Sequence, residues 1–203
     1  MDILTTLGSA AGLGFLAGIR LYFTVFALGL SIRLGWFEPS GNMQHLTVLG
    51  HTPILVASGL LVICEFIADK IPWFDSMWDA VHTFIRPIGA AALGLAAFGK
   101  VDSSTMLLIA LVSGATGFAG HASKAATRVA VNHSPEPFSN WILSFGEDIM
   151  VPAGLWLVVH HPIASAIAIA GILFVFVLLA RVVIRLLRSL FKPRSQGGLH
   201  AVR

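Results

Sequence analysis

Hydrophobic and polar positions alternate along this chain in long blocks. Apolar runs cover residues 3–34, 53–71, 75–99, 105–132, 138–159 and 163–180, separated by polar or Pro/Gly-rich breaks. A bilayer core of about 30 Å takes roughly 20 helical residues to cross. The pattern predicts an all-α membrane protein with about six transmembrane helices, some broken or kinked at Gly or Pro. It reads as one polytopic domain, residues 1–192, with a disordered cytoplasmic tail, 193–203. The first run is too long for one straight crossing: Ile3 to Leu34 as a helix reaches about 50 Å. It must tilt, kink or break, and Gly8, Gly12, Gly14 and Gly18 mark the expected place. Residues 35–52 read as a polar loop. Pro87 and Pro152 fall inside helices, Ser104 is the expected cap of the fourth span, and His160-His161-Pro162 is a tight turn.

Polar positions inside the apolar runs are ordered. Asp75, Asp79, His82 and Arg86 lie at i, i+4, i+7 and i+11, which puts them on one helix face. Gly117, His121, Lys124, Arg128 and Asn132 share another face, and Asn140, Ser144, Glu147 and Asp148 a third. Glu65 and Asp69 are four apart. Arg20 has apolar residues on both sides and is expected to face a polar interior. Ionisable groups at bilayer depth are costly, so they pair or line a cavity. Trp73 and Trp78 are expected as interfacial anchors, and Cys64 as a small buried residue.

Composition supports the membrane reading. The 203 residues are 56% hydrophobic and 11% charged, with mean hydropathy +0.85; a soluble domain carries about 25% charged residues. One cysteine leaves no internal disulfide and no cysteine metal cage. Six of the 13 basic residues follow residue 180, which reads as a tail on anionic lipid rather than a nucleic-acid patch. Asp2 and the absence of a basic start argue against a cleaved signal peptide. Six crossings would put both termini on one side, and the basic residues assign that side to the cytoplasm of a bacterial inner membrane.

Two Gly-rich segments, Gly12–Gly18 and Gly114–Gly120, resemble each other and suggest a 3+3 inverted repeat, a transporter pattern. The GxxxG pairs Gly8/Gly12 and Gly14/Gly18 suggest contact between copies, hence a homo-oligomer.

The function expected is transport of a small charged solute. Arg20, Arg86, His121, Lys124, Arg128, Asn132, Asn140 and Ser144 are the substrate-binding candidates. Glu65, Asp69, Asp75, Asp79, His82, Glu147 and Asp148 are the coupling or ion-binding candidates. Bases among the acids favour an anion or mixed site, with a proton as one coupling ion. The acids with a single His would instead suit Mg²⁺ or Mn²⁺. A structural salt-bridge lattice, as in a non-transporting scaffold or lipid-binding protein, is the bland alternative. An intramembrane lipid-headgroup enzyme is a third, although HExxH, P-loop, GxSxG and CxxC motifs are all missing. No cofactor and no nucleic-acid partner are expected, only membrane lipids and the solute.

The segment Glu65-Phe-Ile-Ala-Asp69-Lys70-Ile71-Pro72, with Asp75, Asp79 and Arg86-Pro87 behind it, resembles a bacterial integral-membrane family catalogued as domain of unknown function 4126. The Gly18-Ile-Arg20 element is similar to the family's N-terminal motif. His121 to Arg128, Ser134-Pro-Glu-Pro-Phe-Ser-Asn140 and Ser144-Phe-Gly-Glu147-Asp148 are similar to its second half. The resemblance covers roughly residues 5 to 185. It implies a small multi-span inner-membrane protein and no established activity.

Overall fold

A computed structural model describes residues 2–39, 41–99, 101–132 and 137–190. The expected tail, residues 193–203, lies outside them. The elements are α1 (Ile3–Ile19), α2 (Leu21–Arg33), a 3-10 helix (Gly41–Gly50), α3 (Thr52–Ala68), α4 (Pro72–Ala97), α5 (Ser103–Asn132), α6 (Pro137–His160) and α7 (Pro162–Leu190). No strand occurs among the described residues. Helices α4 to α7 are each long and apolar enough to cross a membrane; the 3-10 helix and α3, bent by 74° at their junction, bring the count to five if taken as one span.

Local chemistry explains most boundaries. Asp102, not Ser104, caps α5: its Oδ1 accepts from the backbone N–H groups of Ser104 and Thr105, both at 3.0 Å. The Thr105 hydroxyl bonds the same carboxylate at 2.6 Å and holds its pKa below the ordinary aspartate value. Thr52-Pro53 opens α3 with Pro in the first turn, where its missing N–H is harmless. Pro87 and Pro152 sit inside α4 and α6, and both helices continue through them. The expected loop before α3 is largely the 3-10 helix. Met43, Leu46 and Leu49, buried at a spacing of three, match its three residues per turn.

The first apolar run doubles back. Arg20 is the hinge (φ −143°, ψ 86°): its N–H bonds the Leu16 carbonyl, and its carbonyl accepts from the Thr24 N–H and hydroxyl. Along α6, Ser144 meets Arg20, Gly154 meets Leu16 and Val158 meets Gly12, while Pro162 lies on Gly8. Hence α1 runs opposite to α6. Residues Leu28, Ser31 and Trp36 line a cavity with Leu155, Trp156 and His160, so α2 runs in the same direction as α6. Both arms therefore end beside the turn between α6 and α7. A sixth helix of crossing length is not found among the described residues. The Ile3 end of α1 and the far end of α7 lie at opposite ends of the bundle, because α7 runs past Phe15 and Ile19 and onward. An apolar run of about 50 Å overshoots one bilayer, and folding back at a charged residue satisfies both its length and the charge.

The glycines do not mark the break. They let helices touch. A Cβ on Gly18 would strike the Gly117 carbonyl, and one on Gly14 the backbone of Ser113. Gly8 and Gly12 face Pro162 and Val158 in the same way. The GxxxG faces expected to join copies are thus occupied by this chain's own helices. The two Gly-rich motifs lie side by side: Ala10 accepts from Ser113 and Gly18 meets Gly117, so α1 and α5 run parallel there. Corresponding helices of an inverted repeat run in opposite directions, so this motif pair does not form one. Around these contacts pack Leu13, Leu16, Leu28, Leu46, Ala90, Leu93, Phe98, Ile109 and Val151.

Candidate functional site

Arg20, placed at the hinge, meets the C-terminal end of α3. Its Nη2 lies 2.6 Å from Asp69 Oδ2. Two further cations reach the same carboxylate from α5: Lys124 at 3.1 Å and Arg128 at 3.6 Å. They share a face because they are four apart. From α6, Glu147 contacts the same three cations, at 3.5 Å (Arg20), 3.3 Å (Lys124) and 3.0 Å (Arg128). Three cations thus share two carboxylates. Asp148 touches Arg20 Nε at 3.2 Å and neutralises the excess positive charge. Arg20, Lys124 and Arg128 are buried to within 4% of full burial, whereas the Glu147 and Asp148 side chains are 13% and 24% exposed. Ser144 Oγ accepts from Arg20 at 2.9 Å and from Lys70 at 3.0 Å; the Lys70 ammonium also sits 3.5 Å from the centre of the Phe66 ring.

A second cluster lies deeper along α4. Arg86 is fully buried, 3.0 Å from Glu65 and 3.2 Å from Asp79. It also donates to His121 Nδ1 at 3.0 Å. A guanidinium has no acceptor, so Nδ1 carries no proton, and the His121 N–H is on Nε2, 3.0 Å from the Thr83 hydroxyl. His121 is therefore neutral in this arrangement. His82 is held at both nitrogens. Its Nδ1 lies 2.8 Å from the Trp78 carbonyl and must donate, and its Nε2 shares a hydrogen bond with the Tyr22 hydroxyl at 3.0 Å. Beside the cluster, Asp75, Ser76, Asp79, Thr83, Ala125 and Arg128 line a cavity of about 190 Å³ between α4 and α5.

The polar faces read from the sequence are therefore real faces. Asp75, Asp79, His82 and Arg86 are all buried on one side of α4, and His121, Lys124 and Arg128 on one side of α5. The side chains of Asn132 and Asn140 lie outside the described residues. Three participants escaped sequence reasoning. Lys70 follows Asp69 directly, Thr83 is a lone hydroxyl inside the α4 stripe, and Tyr22 is the only tyrosine of the chain, two residues after the hinge. Trp73 is exposed as an interfacial anchor should be, but Trp78 packs inward, stacked on His82 at 4.3 Å. Cys64, expected to be buried, is exposed on the outer surface. Among the described residues no group of three or more His, Cys, Asp or Glu side chains is placed to hold a metal; the acids are interleaved with guanidinium and ammonium groups instead.

Described residues that are all helix, turn or loop, with helices of membrane length and a buried lattice of charge towards one end of the bundle, define a polytopic membrane protein. The chain belongs to the family described as domain of unknown function (DUF4126), whose model matches residues 7–182. No curated protein and no solved structure matches it.

Proposed function

We propose that this protein transports a small charged solute, with an anion favoured, across a bacterial cytoplasmic membrane. One observation carries the reading: three almost completely buried cations share two carboxylates at a helix break. Charged residues at a helix centre each cost about 3 kcal/mol on insertion scales, and a buried ion pair is no cheaper than apolar packing. A lattice of this size is a poor way merely to hold helices together. The break at Arg20 adds to this, because discontinuous helices carry solute sites in transporters. Asp148 is the most exposed carboxylate in the cluster, and an anion that replaced it on Arg20 would keep the charge balanced.

The basic residues orient the molecule. Lys70, Lys124, Arg128, Arg181 and Arg185 lie at the charged end or beyond it, and Arg33 at the other. The positive-inside bias puts the charged end in the cytoplasm, with the Ile3 end of α1 on the far side. Membrane lipids are the surrounding partner. A homo-oligomer would have to use surfaces other than the GxxxG faces.

Reconstitution into liposomes tests the reading. Anions, divalent cations and protons are screened for flux; anion flux that Arg20→Ala abolishes and Glu147→Gln alters is the expected result. A scaffold is the second reading, favoured by the close pairing of every cluster cation. It prevails if no solute moves and both substitutions change stability alone.

A further inference from the structure

Glu65 is completely buried, yet only half of its carboxylate is engaged. Oε1 accepts from Arg86 at 3.0 Å, while Oε2 has no hydrogen-bond partner among the described residues. A buried anionic oxygen without a donor forfeits its solvation and receives nothing in return. A proton on Oε2 replaces a buried anion by a neutral hydroxyl, whose desolvation costs far less. It would normally leave a deficit elsewhere, since Arg86 would lose its counter-charge. Here it does not, because Arg86 also contacts Asp79 at 3.2 Å.

Polar groups lead to this carboxyl from the cytoplasmic-side cavity. Thr83 lines that cavity and bonds His121, His121 accepts from Arg86, and Arg86 donates to Glu65. Counting along α4, Asp75 to Arg86 spans about 16 Å, half of a 30 Å hydrocarbon core. On the other side of Arg86 the helix is apolar and packed, with Ala90, Leu93 and Ala97 buried. The run of polar side chains therefore ends at Glu65, midway through the bundle. A metal ion is a poor fit there, with a guanidinium 3.0 Å from Oε1; a proton needs no further ligands.

We propose that Glu65 is a proton-binding site reached from the α4–α5 cavity, which makes the proton the coupling ion of the transport reading above. A hydronium ion in the cavity gives up a proton, one of its O–H bonds breaking to leave water, and an O–H bond forms on Oε2; the net change is one proton gained by the carboxylate, and Arg86 stays cationic. The charged and titratable groups facing Glu65 are Arg86, Asp79 and His82 on α4, His121 and Lys124 on α5, Tyr22 on α2, Arg20 at the hinge and Asp69 on its own helix.

Infrared difference spectroscopy of the full chain in lipid, between alkaline and acid pH, reads the high-frequency C=O stretch of a protonated carboxyl in apolar surroundings. The expected result is such a band in the native protein, lost in Glu65→Gln and retained in Glu38→Gln, whose glutamate is exposed at the opposite end of the bundle. A band that survives Glu65→Gln, or no band at all, overturns the proposal. Should Glu65→Gln not fold, Glu65→Asp keeps the carboxyl and must shift the band; an unshifted band overturns it equally. Solute flux without the band sinks the proton site and leaves transport standing, and the band without any flux does the reverse.

Discussion

The two halves of this bundle solve one problem in opposite ways. Towards the α6–α7 turn, α1 and α5 touch through glycine: no Cβ fits between Gly14 and Ser113. Contact there is dispersion between close backbones, with one side-chain bond, Ser113 to the Ala10 carbonyl at 3.1 Å. Towards the other end, long side chains hold the helices apart and meet through charge, with Asp69 binding Arg20, Lys124 and Arg128. A membrane lends no hydrophobic drive to helix association, so each half needs a specific device. The glycine contacts of α1 with α5 tolerate no added atom. The charged half is satisfied only while its partners remain, and it is the half whose contacts another ion could replace.

The comparison can be broken outright by sidedness. With Cys64→Ser as background, Leu4→Cys and Trp36→Cys should label only from the face opposite Arg185→Cys, an all-or-none result. Labelling of Leu4→Cys from the Arg185 face would restore a first helix that crosses the membrane, and the two halves would no longer be defined as described. Next in size is Asp69→Ala. It removes one of the two carboxylates that three buried cations share, and breaking a buried pair costs about 3–5 kcal/mol. Thermal unfolding in detergent should fall sharply; a loss under about 1 kcal/mol would mean that Glu147 alone suffices. Smaller again is Gly18→Val, where overpacking against the Gly117 carbonyl costs about 1–3 kcal/mol. It should lower stability while leaving solute selectivity unchanged. An altered selectivity would show that the halves are mechanically coupled.

Much of the charged half was legible beforehand. A stripe such as Asp75, Asp79, His82, Arg86 follows from a period of 3.6, and a charge within an apolar run has few places to go. Pairing was not legible, since it depends on which helix lies beside which: nothing in the spacing says that Asp69 takes three cations or that Arg86 reaches His121. Tyr22 and Thr83 carried no periodic signal, and their roles exist only through His82 and His121. The glycines were visible but misassigned, because GxxxG reports close approach without naming the partner.

What the sequence determined by itself was local and periodic: helices of membrane length, their polar faces, and the chemistry at Arg20, Glu65 and Asp69. The turn of the first run at Arg20, the parallel glycine motifs and the opposite placement of the Ile3 end of α1 and the far end of α7 came from the tertiary structure alone. The reason is physical. Periodicity is fixed by the backbone of each helix, whereas direction and neighbourhood are fixed by contacts between residues more than a hundred positions apart, such as Arg20 and Ser144.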